Sequence, residues 1–516
     1  MLGFTVPLWL VLILVVLALY TYMMSRHHGT FKKLNIPGPA PWPIIGSLME
    51  INKAGFHSFQ LECRKKYGKI YGYFGGLSPQ TLVVGDKEML RKILVKEFNN
   101  FSDRIIFKGF NGDLESSVNN LKGNHWKHVR NKITPAFSTG KLRKMVPLVD
   151  YASDTLLEAL RKKVKDGDGV MEMLEVYGAY AMDVICSTAF GIQVDSQQNP
   201  NDEFIVNAKK FMILNFSSSI ILILMFLPKL HFLMPFLGWS FIDKHVQKFF
   251  RNVTVKLLDE RVAGNKDRVD FLQLMKNVQH GEDGDSDEEE DDDIDKENVS
   301  GSKLPNSWYR KGITFKEILG NAEIFFLAGY ETTMITLTMA SYYLAVHPEY
   351  QDKLRRELFD KIGSEPLTYD NIRNVAYLDM VINETLRINP PATRTDRVCL
   401  KDTEVNGVRI PAGMHISIPI YSIHHDPDNW EDPEKFIPER FEDKDRHDPL
   451  TFLPFGYGPR NCIGMRLAQM ELKMSLAKIV RTFQICVCSE TKIPPDLATF
   501  SLLKPKMSKL KLVEIK

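Results

Sequence analysis

Cysteine is scarce. Six residues in 516 are too few for a disulfide scaffold. No Lys/Arg-rich helix with interleaved aromatics is present, which argues against nucleic acid as a partner. No dinucleotide or flavin fingerprint and no internal repeat is found. The first 25 residues carry no charged side chain. The composition, 44% hydrophobic and 25% charged, excludes wholesale disorder, collagen and a multi-span transporter. At about 150 residues per domain the length suggests three domains, although one large core also accommodates it.

The uncharged N-terminus contains the apolar run Val6 to Met24, nineteen residues. As a helix it is about 28 Å long, enough for the hydrocarbon core of a bilayer. A cleaved signal peptide needs a basic start and a small-residue cleavage site. Here no charge precedes the run, and Tyr20, Tyr22 and Met23 sit where cleavage falls. Arg26, Lys32 and Lys33 follow at once and place that side in the cytosol. The expected organisation is therefore a transmembrane anchor over 1–25, a basic, proline-rich hinge over 26–46 and a globular body over 47–516. The body's thiols stay reduced. A second uncharged run, Phe211 to Pro228, is broken by Asn215 and Ser217 to Ser219. It is expected to dip one face into the bilayer, with a further contact around Phe232 to Trp239, rather than to span it.

The net charge of +2 hides an asymmetry. Glu282 to Glu297 carries twelve acids and one lysine, so the remaining chain is net +13. A basic body suits an anionic membrane surface or an acidic protein partner. The acidic insert, 281–300, is expected to be disordered.

The element pattern is mainly α with a smaller β part. Phe315 to His347 reads as one long helix, opened by the capping box Thr314-Phe315-Lys316-Glu317 and stopped by Pro348. Further helices are expected over Asn371 to Ile388 and Cys462 to Phe483. Strands are expected at Thr81 to Val84 and Met414 to Ile420, with a hairpin turning at Asn406-Gly407.

The sharpest local signal is Phe455-Gly456-Tyr457-Gly458-Pro459-Arg460-Asn461-Cys462-Ile463-Gly464. One cysteine lies in a glycine-rich loop and is expected to open a helix. Free N–H groups and the helix dipole there stabilise a thiolate, a nucleophile or metal ligand. Arg460 suits an anionic cofactor group.

These ten residues carry F-x-x-G-x-R-x-C-x-G, and the chain resembles the cytochrome P450 haem-thiolate monooxygenases. Phe137-Ser138-Thr139-Gly140-Lys141-Leu142 and the stretch Pro454 to Arg466 are most similar to the microsomal drug- and steroid-oxidising family three. The resemblance implies a triangular-prism P450-like fold behind the anchor. It implies haem b with Cys462 as axial thiolate, and Phe455 and Arg460 in the binding loop. Trp126 and Arg130, in the W-x-x-x-R pattern, with Arg104 and Arg397, look like propionate partners. Glu384 and Arg387 of E-x-x-R, joined to Arg440, resemble a structural ion triad. Within Ala328-Gly329-Tyr330-Glu331-Thr332-Thr333, Glu331 and Thr332 resemble the acid–alcohol pair that relays protons. Phe107, Phe110, Leu327, Ala328 and Ala392 are implied pocket positions.

The function so implied is insertion of one atom of O₂ into lipophilic small molecules. Electrons come from NADPH through a separate reductase, with cytochrome b5 as a further partner, at the endoplasmic reticulum membrane. Lys122, Lys127, His128 and Lys132 are a candidate docking face. A haem-thiolate peroxide isomerase or synthase, or a non-enzymatic haem binder, is the alternative, and the Glu331-Thr332 pair argues against both. Cys486-x-Cys488 reads as a buried or edge-strand pair, and His424-His425 as a turn before Asp426-Pro427, rather than as metal sites.

Overall fold

The computed structural model describes residues 8–25, 27–43, 45–75, 80–105, 112–199, 201–212, 243–261, 270–279, 312–443, 445–498 and 502–515. The acidic insert, Phe107, Phe110 and most of the second uncharged run lie outside the described residues.

The apolar N-terminal run forms α1 (Leu8–Ser25), with Trp9, Leu12, Val16 and Leu19 exposed. Among the described residues no helix is long and apolar enough to cross a membrane. The expected span begins at Val6, outside them. The proline segment is docked rather than free from Ile36 onward. Ile36 is buried, and the Pro37 carbonyl takes the Gly72 N–H at 2.8 Å.

The body then runs α2 (Leu48–Tyr67), β1 (Ile70–Tyr73), β2 (Thr81–Val84), α3 (Gly123–Ile133), α4 (Thr139–Asp166), β3 (Val170–Glu172) and α5 (Met173–Ile185). It continues through α6 (Lys244–Asp259), α7 (Phe315–Val346), α8 (Pro348–Lys361), α9 (Ala376–Ile388), β4 (Thr395–Val398), β5 (Thr403–Val405), β6 (Val408–Ile410) and β7 (His415–Ile418). It ends with α10 (Met465–Thr482), β8 (Phe483–Cys486) and β9 (Lys509–Glu514). Shorter helices link these. One sheet has the order β1-β2-β7-β4, with β2 and β7 parallel and the outer pairs antiparallel. A second is β3-β9-β8, and β5-β6 is a separate hairpin. The hairpin turn places Asn406 (φ +51°) and Gly407 (φ +77°) in the left-handed region, as its two-residue loop requires.

Local signals placed most boundaries. Thr314 Oγ1 accepts the Glu317 N–H at 3.3 Å, and Glu317 Oε2 accepts the Thr314 N–H at 2.6 Å, which completes the capping box of α7. Two expectations shift. The helix expected from Asn371 divides, because Thr368 caps a separate short helix, Tyr369–Ile372, and α9 begins only at Ala376. The last long helix begins at Met465, not Cys462.

The 32 residues of α7 span about 48 Å and pack on α5, α9 and α10 through the large helical core. Residues 112–121 lie against its first half. A Cβ on Gly320 would collide with the Asp113 carbonyl, so glycine permits the approach. Asn321 Oδ1 takes the Val118 N–H at 2.9 Å. Glu323, 4% exposed, has Oε2 unpartnered. Burial pushes its pKa up to about 8, with Asp113 adding and Arg251 opposing.

This folded pKa lies above that of an unfolded glutamate, about 4.3. The group's contribution to stability is therefore present below the unfolded value and lost as pH rises toward about 8. Glu323→Gln should match the wild type near pH 4 and exceed it by about 2 °C in Tm at pH 8. Thermal unfolding across that range checks this.

Candidate active site

The cysteine loop joins the sheet side of the molecule to α10. Gly456 (φ +73°) and Gly458 (φ +75°) occupy the left-handed region, and a Cβ on Gly458 would collide with the Leu94 carbonyl. The Cys462 N–H donates to the Phe455 carbonyl at 2.8 Å and closes the loop. Upstream, the Leu453 N–H donates to His424 Nε2 at 2.8 Å, while His424 Nδ1 lies 3.1 Å from the Arg387 carbonyl. Burial drives the His424 pKa well down, so the ring is neutral, with Nδ1 as donor and Nε2 as acceptor. The sequence reading made this residue part of a turn. It is instead a fully buried bridge at the end of the short helix Ile420–His424.

Cys462 lies three residues ahead of α10, with Gly464 as the N-cap. The expected placement at a helix start is therefore corrected. Burial pushes its thiol pKa up, and the Gly464 N–H, Arg130 and Arg104 only partly oppose that. The side chain is nevertheless exposed. A thiol so placed is a poor free nucleophile, whereas a metal ion bound to it deprotonates it outright.

Three guanidiniums converge beside this loop. The Val398 N–H bonds the Asp103 carbonyl at 2.8 Å, a bridge that brings Arg104 next to Arg397 of β4. Arg104 Nη2 reaches the Arg460 carbonyl at 3.3 Å, and Arg460 lies 4.3 Å above the Trp126 ring. Arg460 Nη2 donates to the Leu121 carbonyl at 2.6 Å. From α3, Arg130 Nη2 donates to Asn461 Oδ1 at 2.8 Å, and Trp126 is buried on the same face. The Nε atoms of Arg104, Arg397 and Arg460 have no partner. Burial, with mutual repulsion, pushes Arg397 down to about 9 and Arg460 to about 8. Burial also lowers Arg104, although Asp396 offsets part of the effect. Buried cations with donors unspent fit a group carrying more than one carboxylate.

The ion triad is complete. Arg387 grips Glu384 through Nε at 2.7 Å and Nη2 at 2.8 Å, and Arg440 Nε reaches the same carboxylate at 3.3 Å. All three residues are buried.

Most of α7 is buried, but Leu327 to Thr332 is open, with Ala328 exposed. Leu327 and Ala392 are half-buried. Glu331 and Thr332 are adjacent in sequence but engage different partners. Glu331 Oε1 sits 2.7 Å from Lys504 Nζ, and Thr332 Oγ1 donates to the Ala328 carbonyl at 2.6 Å. Nothing in the local sequence pointed to Lys504. Of the candidate docking residues, Lys122 is exposed and Lys127 and Lys132 are half-buried. His128 is buried, with Nε2 3.1 Å from the Gly312 carbonyl, and does not reach the surface.

The cytochrome P450 family model matches residues 36–512. This chain belongs to the cytochrome P450 family. It is similar to Cytochrome P450 3A11 of Mus musculus, 41% identical over 503 residues, covering 96% of this chain and 94% of the relative. It is also similar to Cytochrome P450 3A2 of Rattus norvegicus at 39%, covering 98% and 96%, and to Cytochrome P450 3A7 of Homo sapiens at 38%, covering 97% and 95%. P450 members bind haem through a cysteine thiolate, so this P450 is a haem-thiolate monooxygenase. The unspent donors of Arg104, Arg397 and Arg460 suit the two haem propionates.

Replacing Arg460 with Met should weaken haem retention about ten-fold, the scale of one charge-assisted hydrogen bond. Haem transfer to apomyoglobin, followed by the Soret band, measures it.

Proposed function

We propose that this P450 hydroxylates lipophilic small molecules of the xenobiotic, steroid or fatty-acid-like class, at the endoplasmic reticulum membrane. Electrons come from NADPH through a separate reductase, with cytochrome b5 as a second donor. The observation that carries the reading is the joint placement of an exposed, unpaired cysteine and three guanidiniums, those of Arg104, Arg397 and Arg460, with unspent donors. Bound haem supplies dioxygen activation, with thiolate ligation favouring O–O cleavage.

The chain's own residues perform the rest. Cys462 would hold the haem iron through its thiolate, and the Gly464 N–H at its sulfur would tune that thiolate. Arg104, Trp126, Arg130, Arg397 and Arg460 hold the propionate side, and Phe455 closes the cysteine loop through its carbonyl. Glu384, Arg387 and Arg440 keep that loop rigid and touch no reactant. Glu331 and Thr332 would hold and pass protons at the open stretch of α7. For this, Thr332 must release the Ala328 carbonyl, and Glu331 must turn from Lys504. Leu327, Ala328 and Ala392 face substrate, and the family resemblance adds Phe107 and Phe110 as substrate contacts.

α1, as part of the longer apolar run that starts at Val6, anchors the body in the bilayer by a single pass, with the body on the cytosolic side. Its exposed Trp9, Leu12, Leu14, Val16 and Leu19 support this, since such a surface is stable in lipid and not in water.

Cys462→His should abolish the red-shifted Soret band of the ferrous–CO complex, and retention of that band overturns the ligand assignment. Deleting residues 2–25 should release the protein from carbonate-washed membranes, at least in part, while leaving the same spectrum intact. Full retention in the membrane pellet would instead place the anchorage elsewhere in the chain.

A further inference from the structure

The carboxylate assigned to proton delivery is held by a residue far away in the chain. Glu331 lies in the open stretch of α7, and its Oε1 is 2.7 Å from Lys504 Nζ. Lys504 belongs to the segment that precedes β9, not to any helix over the site. That segment is tied down on several sides. The Leu503 N–H donates to the Pro391 carbonyl at 2.9 Å, next to the pocket position Ala392. The Ala498 N–H donates to the Lys504 carbonyl at 2.8 Å, and Leu497 bridges Pro505. The Ser508 N–H donates to Glu172 Oε1 at 2.8 Å. Lys504 is therefore presented from a fixed backbone at the rim of the open stretch.

We propose that Lys504 is a positioning residue for proton delivery, holding the Glu331 carboxylate in one resting orientation between turnovers. This rests on the assignment of Glu331 and Thr332 to the relay. The pair is partly exposed, with side-chain exposures of 36% for Lys504 and 23% for Glu331. An ion pair of that exposure is weak and can open in each turnover. It still gives the carboxylate a defined partner. Without the ammonium, a half-buried carboxylate must recruit water. Water in the distal space lets protons leak to the wrong place. In productive turnover, two electrons from NADPH and two protons reduce dioxygen to one water and one oxygen atom delivered to substrate. In leakage, the same electrons and protons leave with dioxygen as hydrogen peroxide.

The test uses the membrane-bound holoenzyme with reductase, and reads peroxide released per NADPH consumed. Lys504→Met should raise that ratio, by up to about five-fold for a pair of this exposure. The substrate affinity from the type I spectral shift should change less than two-fold. Lys504→Arg should restore the wild-type ratio. In the Glu331→Gln background, Lys504→Met should add nothing, because a neutral amide needs no cation. If Lys504→Met yields little holoenzyme by ferrous–CO spectrum, Lys504→Gln serves in its place.

The outcomes separate the two readings. If Glu331→Gln and Thr332→Ala both leave the peroxide ratio unchanged, the relay assignment fails, and this proposal with it. If they raise the ratio and Lys504→Met does not, only the role of Lys504 is overturned. An equal rise in the Glu331→Gln background also overturns it, since Lys504 then acts through something other than Glu331.

Discussion

The placement of the cysteine loop depends on one buried ion network. Glu384 accepts from Arg387 Nε and Nη2, from Arg440 Nε and from the Ile437 N–H. Arg387 spends its remaining donors on the carbonyls of His424, Pro433 and Lys435. All five guanidinium N–H groups are therefore used. A buried pair satisfied this fully holds its geometry, whereas deleting one partner costs about 3–5 kcal/mol through the uncompensated charge left behind. Through His424 the network reaches Leu453, two residues before Phe455, and so sets the register of the loop that ends at Cys462. Trp430, fully buried with its ring 5.4 Å from Arg387, walls the same site.

The second charged cluster is arranged in the opposite way. Arg397 and Arg460 are buried and Arg104 is half-buried, yet their pKa values are lowered and their Nε atoms are unspent. Asp396 and Asp103 are near, but two carboxylates do not balance three guanidiniums. The closed triad has no donor to spare, whereas the open cluster keeps donors for an anionic group. Their close succession along the chain is what links cofactor binding to the fold. Arg387 closes α9, Arg397 lies on β4, and Arg440 and Arg460 flank the loop segment that His424 pins.

α7 shows the same division between structure and use. Most of it is buried, and its capping box and tight contacts with residues 112–121 fix its first half against the core. Within its middle, the stretch around Ala328 opens. There the polar groups are held by whatever lies within reach: a backbone carbonyl for Thr332, and a distant lysine for Glu331. Thr333, one residue on, turns the other way to Glu471, whose burial pushes its pKa up to about 8. Consecutive residues on a helix point in different directions, so three adjacent polar side chains serve three separate surroundings.

What the sequence determined by itself was local or carried by motif spacing. The capping box at Thr314, the hairpin at Asn406-Gly407, the strand at Thr81 to Val84 and the i,i+3 pair Glu384–Arg387 all rest on contacts a few residues apart, and residue chemistry specifies those directly. The apolar run that became α1 was equally legible. The tertiary structure alone decided the contacts between distant parts of the chain. The link from His424 to Leu453, the bridge that sets Arg104 beside Arg397, and the reach of Lys504 to Glu331 have no local signature. The Cys462 thiol illustrates the limit. Its neighbours in sequence suggested a helix start and a lowered pKa. The folded chain instead begins α10 three residues later, and desolvation by the surrounding chain outweighs the local N–H. Burial is the sum of contacts made by the whole chain, and a short stretch of sequence does not contain it.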